Sequence, residues 1–378
     1  MARETVTWES LRELASFRAE RGCAVSLYVD LDPSTAPTPA DAEARFHSLL
    51  AEVQKEADAR GFDHERKQAL FRDINRIRVW WDADFDRDGS RGVALFASSL
   101  DGLWRTLSLF EPVEDQIRLE RELYLAPLVP LVGRGDGALV AVVGRERGQV
   151  FRLRDGRLDE IVDQTEEQPG KHDQGGWSQA RYQRHLEKLV HDHLKNVGSE
   201  LERRLRRGGR PELVVIVPPE LRGEFESRLS PEAREAIVGW ATAEAHATPA
   251  ELLEVVRPIL DRARARQVTE ALERWRSEVG RDGRAAAGWA QTLEAASDGR
   301  VEVLLVETDA NRDAYRCPRC ERGSASPGAC PVDGTELEHV PDGLDLAVHR
   351  VLAFGGSVVP VEGSTLAGHE GIGALLRY

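Results

Sequence analysis

The chain has 378 residues, room for two or three domains at roughly 100–200 residues each. With 41% hydrophobic and 31% charged residues it can build real cores, which sets it apart from disordered chains. Asp plus Glu outnumber Lys plus Arg by 65 to 51, a formal net charge of −14, which argues against a histone-like coat that neutralises phosphates over its whole surface. No run approaches the roughly 18–20 apolar residues of a membrane span. The opening Met1-Ala-Arg-Glu-Thr-Val-Thr-Trp8 lacks the basic-then-apolar order of a secretory signal, so the expected setting is the cytoplasm, with no membrane partner.

In chain order, Leu11, Leu14 and Phe17 open with helical spacing, and Ala24 to Asp32 alternates and is β-rich, which predicts a strand. The proline-rich stretch Asp32 to Pro39 reads as a loop. Amphipathic helices follow over Asp41 to Ala59 and near His64 to Ile77; Gly92 to Ala97 is a short buried strand with Leu103 to Phe110 as its hairpin neighbour. Helices beside a small sheet give residues 1–122 an α+β plan.

A second domain, 123–262, begins near Leu123. Strands Gly137 to Val143 and Gln149 to Leu153 bracket a hairpin, and Arg154 to Arg157 is the next turn. Gln164 to Ser178 has almost no apolar residues and reads as an exposed loop. Leu186, Leu189, Val190, Leu194, Val197, Leu201 and Leu205 then repeat at helical spacing up to Arg206–Gly209. Glu212 to Val217 is a buried strand stopped by Pro218 and Pro219, and strand, helix, strand is the order of an α/β layer. A long helix, Pro249 to Val279 with a bend at Pro258, leads into a third domain, 263–378, also α/β. It contains a helix from Ala285 to Ala296, strand Val301 to Val306, a Cys-rich insert over 314–340, a helix Leu344 to Phe354, strand Ser357 to Val361 and a Gly-rich tail.

Three of the four cysteines crowd into that insert. Cys317-Pro-Arg-Cys320 followed by Cys330-Pro-Val-Asp333 makes two tight knuckles, the way a short chain builds a tetrahedral zinc site, so the insert is expected to be zinc-ribbon-like. The expected ligands are Cys317, Cys320, Cys330 and Asp333, with His339 as the other choice for the fourth. Four protein ligands leave no open position, so the zinc is structural. His185 and Glu187 with the Cys pair superficially match a zinc nucleobase deaminase, but Arg316 stands where that pattern has Pro directly before its first Cys, so the match is chance spacing.

The second informative stretch is Lys171-His-Asp-Gln-Gly-Gly-Trp-Ser-Gln-Ala-Arg-Tyr-Gln-Arg184. A polar loop mounted on a long helix presents backbone amides far from the protein body, and Gly175 with Gly176 permits close approach of another backbone. Residues 181–210 carry nine Lys or Arg against four acids, a local basic face able to follow a phosphate backbone. A solvated interdomain loop is the alternative reading of the same residues.

This segment resembles the middle domain of the archaeal and eukaryotic class-1 peptide release factors, which carry Lys-Lys-His, a short polar stretch, Gly-Gly-Gln, and a helix studded with Arg. Lys171, His172, Gly175, Gly176, Ser178, Arg181 and Arg184 stand where that family has them. The tail Gly368-His-Glu-Gly-Ile-Gly-Ala-Leu-Leu-Arg-Tyr378 is similar to the family's Gly-Gly-Ile-Gly-Gly-Ile-Leu-Arg-Tyr, and the Cys insert sits where archaeal members have a zinc-bearing minidomain. The resemblance covers roughly residues 123–378 and implies three domains in release-factor order. It places the chain in the bacterial group of release-factor-like proteins, related to the Vms-type ribosome-rescue hydrolases. It further implies hydrolysis of peptidyl-tRNA in stalled ribosomes, with Gln179, Gly175 and Gly176 as the catalytic group. Lys171, His172, Trp177, Ser178, Arg181 and Arg184 would contact ribosomal RNA or tRNA at the peptidyl-transferase centre, and a translational GTPase would dock on the third domain. Two departures stand out. The family's Gln directly follows Gly-Gly, whereas here that place is Trp177 and the candidate, Gln179, lies two residues on. No Asn-Ile-Lys-Ser motif is present in the first domain, which implies a codon-independent role. A ribosome-occupying hibernation factor of the Balon-like type is the alternative.

Overall fold

The computed structural model describes residues 6–87, 89–132, 137–154, 156–164, 178–207, 211–244, 246–307 and 309–378, without the side chains of 178–186 and 207. It is a mixed α/β chain divided into two compact units, residues 1–132 together with 267–378, and residues 133–266. Among the described residues no helix is long and apolar enough to cross a membrane.

The first unit opens with α1 (Trp8–Ala15), α2 (Pro39–Ala59) and α3 (His64–Ala83), each started by a side-chain cap. Thr7 and Thr38 accept the backbone N–H of Ser10 and Asp41, whose own side chains return the bond, and Asp63 accepts from the N–H of Arg66. Strands β1 (Ala24–Asp30), β2 (Gly92–Ser98), β3 (Leu103–Leu109) and β4 (Gln116–Glu120) form an antiparallel sheet in the order β3-β2-β1-β4. β1 is buried along its whole length because both faces of the sheet are covered. Val25, Leu27 and Val29 share a core with Phe46, Leu50 and Ile77 of α2 and α3. Their alternates Ala24 and Tyr28 belong to another core, shared with Leu11 and Leu14 of α1, with Leu123, Leu125 and Leu128, and with Leu346, Val348 and Val351 from the far end of the chain.

The second unit contains β5 (Leu139–Val143), β6 (Gly148–Arg154), β7 (Arg157–Asp163), α4 (Ser178–Arg207), β8 (Leu213–Ile216), α5 (Pro219–Arg228), α6 (Pro231–Glu235) and β9 (Ile237–Ala241). Its sheet runs β7-β6-β5-β8-β9, with β5, β8 and β9 parallel and β6 and β7 added as antiparallel hairpins. Val190, Leu194, Val197, Leu201 and Leu205 of α4 cover one face, against Leu139, Ala141, Val150 and Val215. Leu252, Val256 and Leu260 of α7 (Pro249–Gly280), which continues through Pro258, meet Val140, Phe151 and Val214 on the other.

The carboxy-terminal part of the first unit comprises β10 (Ala285–Ala287), α8 (Gly288–Ser297), β11 (Val301–Glu307), β12 (Ala314–Arg316), β13 (Gly323–Ser324), β14 (Glu338–Val340), α9 (Gly343–Ala353), β15 (Ser357–Val361) and β16 (Ile372–Leu376). The main sheet has the order β10-β16-β11-β15, and the Cys-rich insert carries its own small sheet, β13-β12-β14. Two expectations change here. The alanine run 285–287 is a strand, paired with β16, and the helix starts only at Gly288, whose left-handed backbone (φ +75) breaks the chain direction. The Gly-rich tail ends as an inner strand between β10 and β11, where Gly373 lies so close to the Trp275 ring that a Cβ would clash with it.

Candidate functional site

β7 hands the chain to α4 through the segment that holds the polar loop. Lys171, His172, Gly175, Gly176 and Trp177 lie outside the described residues; Ser178, Gln179, Arg181 and Arg184 fall in the opening turns of α4, where only the backbone is described. Further along α4 the charge is less free than the sequence suggests. Arg203 and Arg204 pair with the buried Glu200, Arg204 at 2.8 Å, and Arg206 lies 3.3 Å from Glu202. Lys188 and Lys195 stay exposed, so the described part of the helix offers a weaker basic face toward a phosphate backbone than the residue count implies.

The metal-type donors are brought together. Cys317 follows β12, Cys320 closes the first knuckle, and Cys330 with Asp333 forms the second, in which the N–H of Gly334 donates to Cys330 O at 2.9 Å. Cys320 Sγ and Cys330 Sγ are 3.4 Å apart, Cys317 Sγ lies 3.5 and 3.6 Å from the two Asp333 oxygens, and all four donor atoms lie within 4.8 Å of one another. A tetrahedral ion with metal–sulfur bonds of about 2.3 Å spaces its ligands by roughly 3.5–3.8 Å, so the donor set fits a single ion. Of the two candidates for a fourth donor, the fold brings Asp333 to the cysteines, whereas His339 points to Asp313, at 3.1 Å, and packs against the Tyr315 ring.

Electrostatics agree with crowded anions. Burial pushes the Cys317 thiol up, but hydrogen bonds from the Cys320 and Arg319 amides outweigh it and the net shift is down. The Arg322 amide pulls Cys320 down, yet burial and the neighbouring Cys330 and Cys317 carry it up to about 11. The N–H of Thr335, 3.0 Å from Asp333 Oδ1, holds that carboxyl down at about 2. Donors pulled in opposite directions by their neighbours form a set that a divalent cation would bind with release of protons.

The sequence reading missed the polar contacts that tie residues 18–126 to the carboxy-terminal part of the same unit. Tyr124 Oη donates to Asp342 at 2.8 Å, the N–H groups of Leu125 and Ala126 donate to Asp345, and His349 Nε2 meets Leu123 O at 2.6 Å. Arg316 pairs with Glu122 at 2.5 Å and Arg18 pairs with Glu321. The one available signal was local: opposite charges at 316 and 321 bracket the first Cys knuckle.

Residues 124–264, which include the polar loop and α4, match the family model described as bacterial archaeo-eukaryotic release factor family 10. The chain is 28% identical over 240 residues to peptide chain release factor subunit 1 of Archaeoglobus fulgidus, covering 58% of each protein, so the alignment spans little more than half of that relative's length. The protein of the same name from Thermococcus kodakarensis is 23% identical, over 98% of this chain and 96% of the relative. Among solved structures, the crystal structure of the archaeal translation termination factor aRF1 aligns over 99% of both chains at 17% identity, with a TM-score of 0.27. The chain is thus similar to archaeal peptide chain release factors, and its segment 124–264 matches the bacterial family 10 model.

Proposed function

We propose that this protein is a ribosome-associated factor that hydrolyses the ester joining peptide to tRNA in stalled ribosomes, without reading a codon. The observation that carries the reading is the family match over residues 124–264, because it contains the Gly175-Gly176 loop, Gln179 and the helix behind them. The names of the relatives, peptide chain release factor subunit 1, support the same substrate class.

The loop brings no metal, and its work is positioning. Gly175 and Gly176 let the backbone enter the peptidyl-transferase centre, and an amide beside Gln179 stabilises the negative charge that develops on the ester oxygen. The Gln179 side chain orients the attacking water and excludes bulkier nucleophiles. Lys171, His172, Ser178, Arg181 and Arg184 hold ribosomal RNA or tRNA phosphates, and Trp177 stacks on a base. Cys317, Cys320, Cys330 and Asp333 hold a zinc ion as a structural cross-link, and the third domain docks a translational GTPase. Peptide release from ribosomes with an empty A site, compared between the wild type and Gln179→Ala, tests the reading. Trp177, standing directly after Gly-Gly, is the residue that favours the second reading, a non-enzymatic factor that occupies the A site.

A further inference from the structure

Building on the metal reading, we propose that the metal centre locks a clamp that holds the amino-terminal segment to the carboxy-terminal part of the same unit. The first Cys knuckle is flanked by charges of opposite sign, Arg316 just before Cys317 and Glu321 just after Cys320. Arg316 Nη1 lies 2.5 Å from Glu122 and 4.0 Å from Glu321; Arg18 Nη1 pairs with Glu321 and lies 3.8 Å from Glu122. These contacts close a four-membered ring of alternating sign.

Each side chain in the ring is only 19–31% exposed, so its pairs are screened less than those of an open surface. Burial pushes Glu122 up, but Arg316, His349, Arg18 and a hydrogen bond with the Glu321 side chain outweigh it, and the net shift is down. Arg350 of α9 faces the same group, with its Nε buried and unpartnered.

Two corners of the ring belong to the knuckle. The other two, Arg18 and Glu122, belong to chain segments already joined by a β-bridge between them and by the N–H of Ala19, which donates to Arg121 O at 2.7 Å. The knuckle aims its corners through a turn. Glu321 has left-handed backbone (φ +65), its N–H donates to Cys317 O at 3.0 Å, and the N–H of Cys317 donates to Arg322 O at 2.9 Å. A glutamate does not choose that conformation on its own. An ion bonded to Cys317 and Cys320 ties the two ends of the turn, and so fixes the separation and direction of Arg316 and Glu321. Without the ion the two ends of the turn are tied only by weaker hydrogen bonds, those among the donors included, and two corners of the ring lose their fixed separation.

Linkage makes this testable from either side: if the ion strengthens the clamp, the clamp strengthens ion binding by the same factor. In the whole 378-residue chain, zinc affinity is measured by competition with a chromophoric chelator for the wild type, Glu122→Gln and Arg18→Gln. These variants break the ring from the amino-terminal side and leave every metal donor in place. The expected result is a loss of about fivefold in affinity, the low end of ordinary coupling between sites. Hydrogen exchange is read in parallel on peptides spanning Phe17–Gly22 and Arg118–Leu123, where stripping zinc from the wild type is expected to speed exchange at Ala19. Wild-type zinc affinity in both variants, or exchange indifferent to zinc, overturns the clamp and leaves the metal site standing. Failure of the wild type to take up one zinc per chain overturns the metal reading itself, and the clamp with it.

Discussion

Gly373 is the sharpest point at which the fold of the carboxy-terminal tail can be tested. A Cβ placed there falls 2.7 Å from Trp275 Cε2 and Nε1 and 2.8 Å from Cζ2, whereas carbon atoms rest at about 3.5–4.0 Å. Neither partner has room to retreat. β16 is bonded on both sides, with Gly373 opposite Leu305 of β11 and Ala287 of β10. Trp275 is 2% exposed and its Nε1 donates to Ala286 O at 2.9 Å. Gly373→Ala is therefore expected to cost about 2–3 kcal/mol, the upper range for overpacking, or roughly 5–10 °C in the melting of this unit. Thermal and denaturant unfolding followed by Trp fluorescence measures it. The diagnostic comparison is made in a Trp275→Leu background, where the ring is gone and the added methyl should cost less than about 0.5 kcal/mol. If the alanine costs the same with and without the indole, the close approach is not the source of the effect and the reasoning fails.

Asp345 accepts the N–H groups of Leu125 and Ala126 at 2.7 and 3.0 Å, and burial raises its carboxyl to about 6. Between roughly pH 4 and pH 6 the folded chain keeps a proton that the unfolded chain has lost, so this group's contribution to stability falls as pH rises through that window. Relative to Asp345→Asn, the wild type is expected to lose about 2 kcal/mol from pH 4 to pH 7; parallel pH profiles in denaturant titrations would contradict this. Chelation bears on the Cys317–Asp333 cluster. Stripping an ion present at a thousand times its Kd removes about 4 kcal/mol, which lowers the melting of the unit by roughly 8–16 °C. Identical melting with and without chelator would rule out a structural metal.

The long amphipathic patterns were legible because burial repeats with the helix. Val190, Leu194, Val197, Leu201 and Leu205 all face the sheet, and α2, α3 and β1 follow from their own apolar spacing. What escaped is set by distant partners. Ala285–Ala287 has the composition of a helix start, since alanine is the best helix former, but pairing with β16 overrides it. β16 itself was hidden by glycines that weaken any strand pattern, and the reason for one of them, Trp275, lies about a hundred residues away in sequence. Spacing favoured Asp333 as the fourth donor but left His339 as the other choice, and the fold separates them by giving His339 to Asp313. The ring of Arg18, Glu122, Arg316 and Glu321 has no period at all, because isolated charges pair through tertiary structure. The Gly175-Gly176 loop was the plainest functional signal in the sequence, and it lies outside the described residues, so its chemistry rests on the residues themselves and on the family match.

That chemistry is best decided by single-turnover release of a labelled nascent peptide from purified bacterial ribosomes with an empty A site, comparing the wild type with Gln179→Ala. The proposed hydrolase releases peptide, and the variant is expected to lose about a hundredfold or more in rate, the scale of losing the positioning of a reacting group, while ribosome binding stays nearly intact. Tight ribosome binding with no release by either protein would contradict hydrolysis and leave a factor that only occupies the A site.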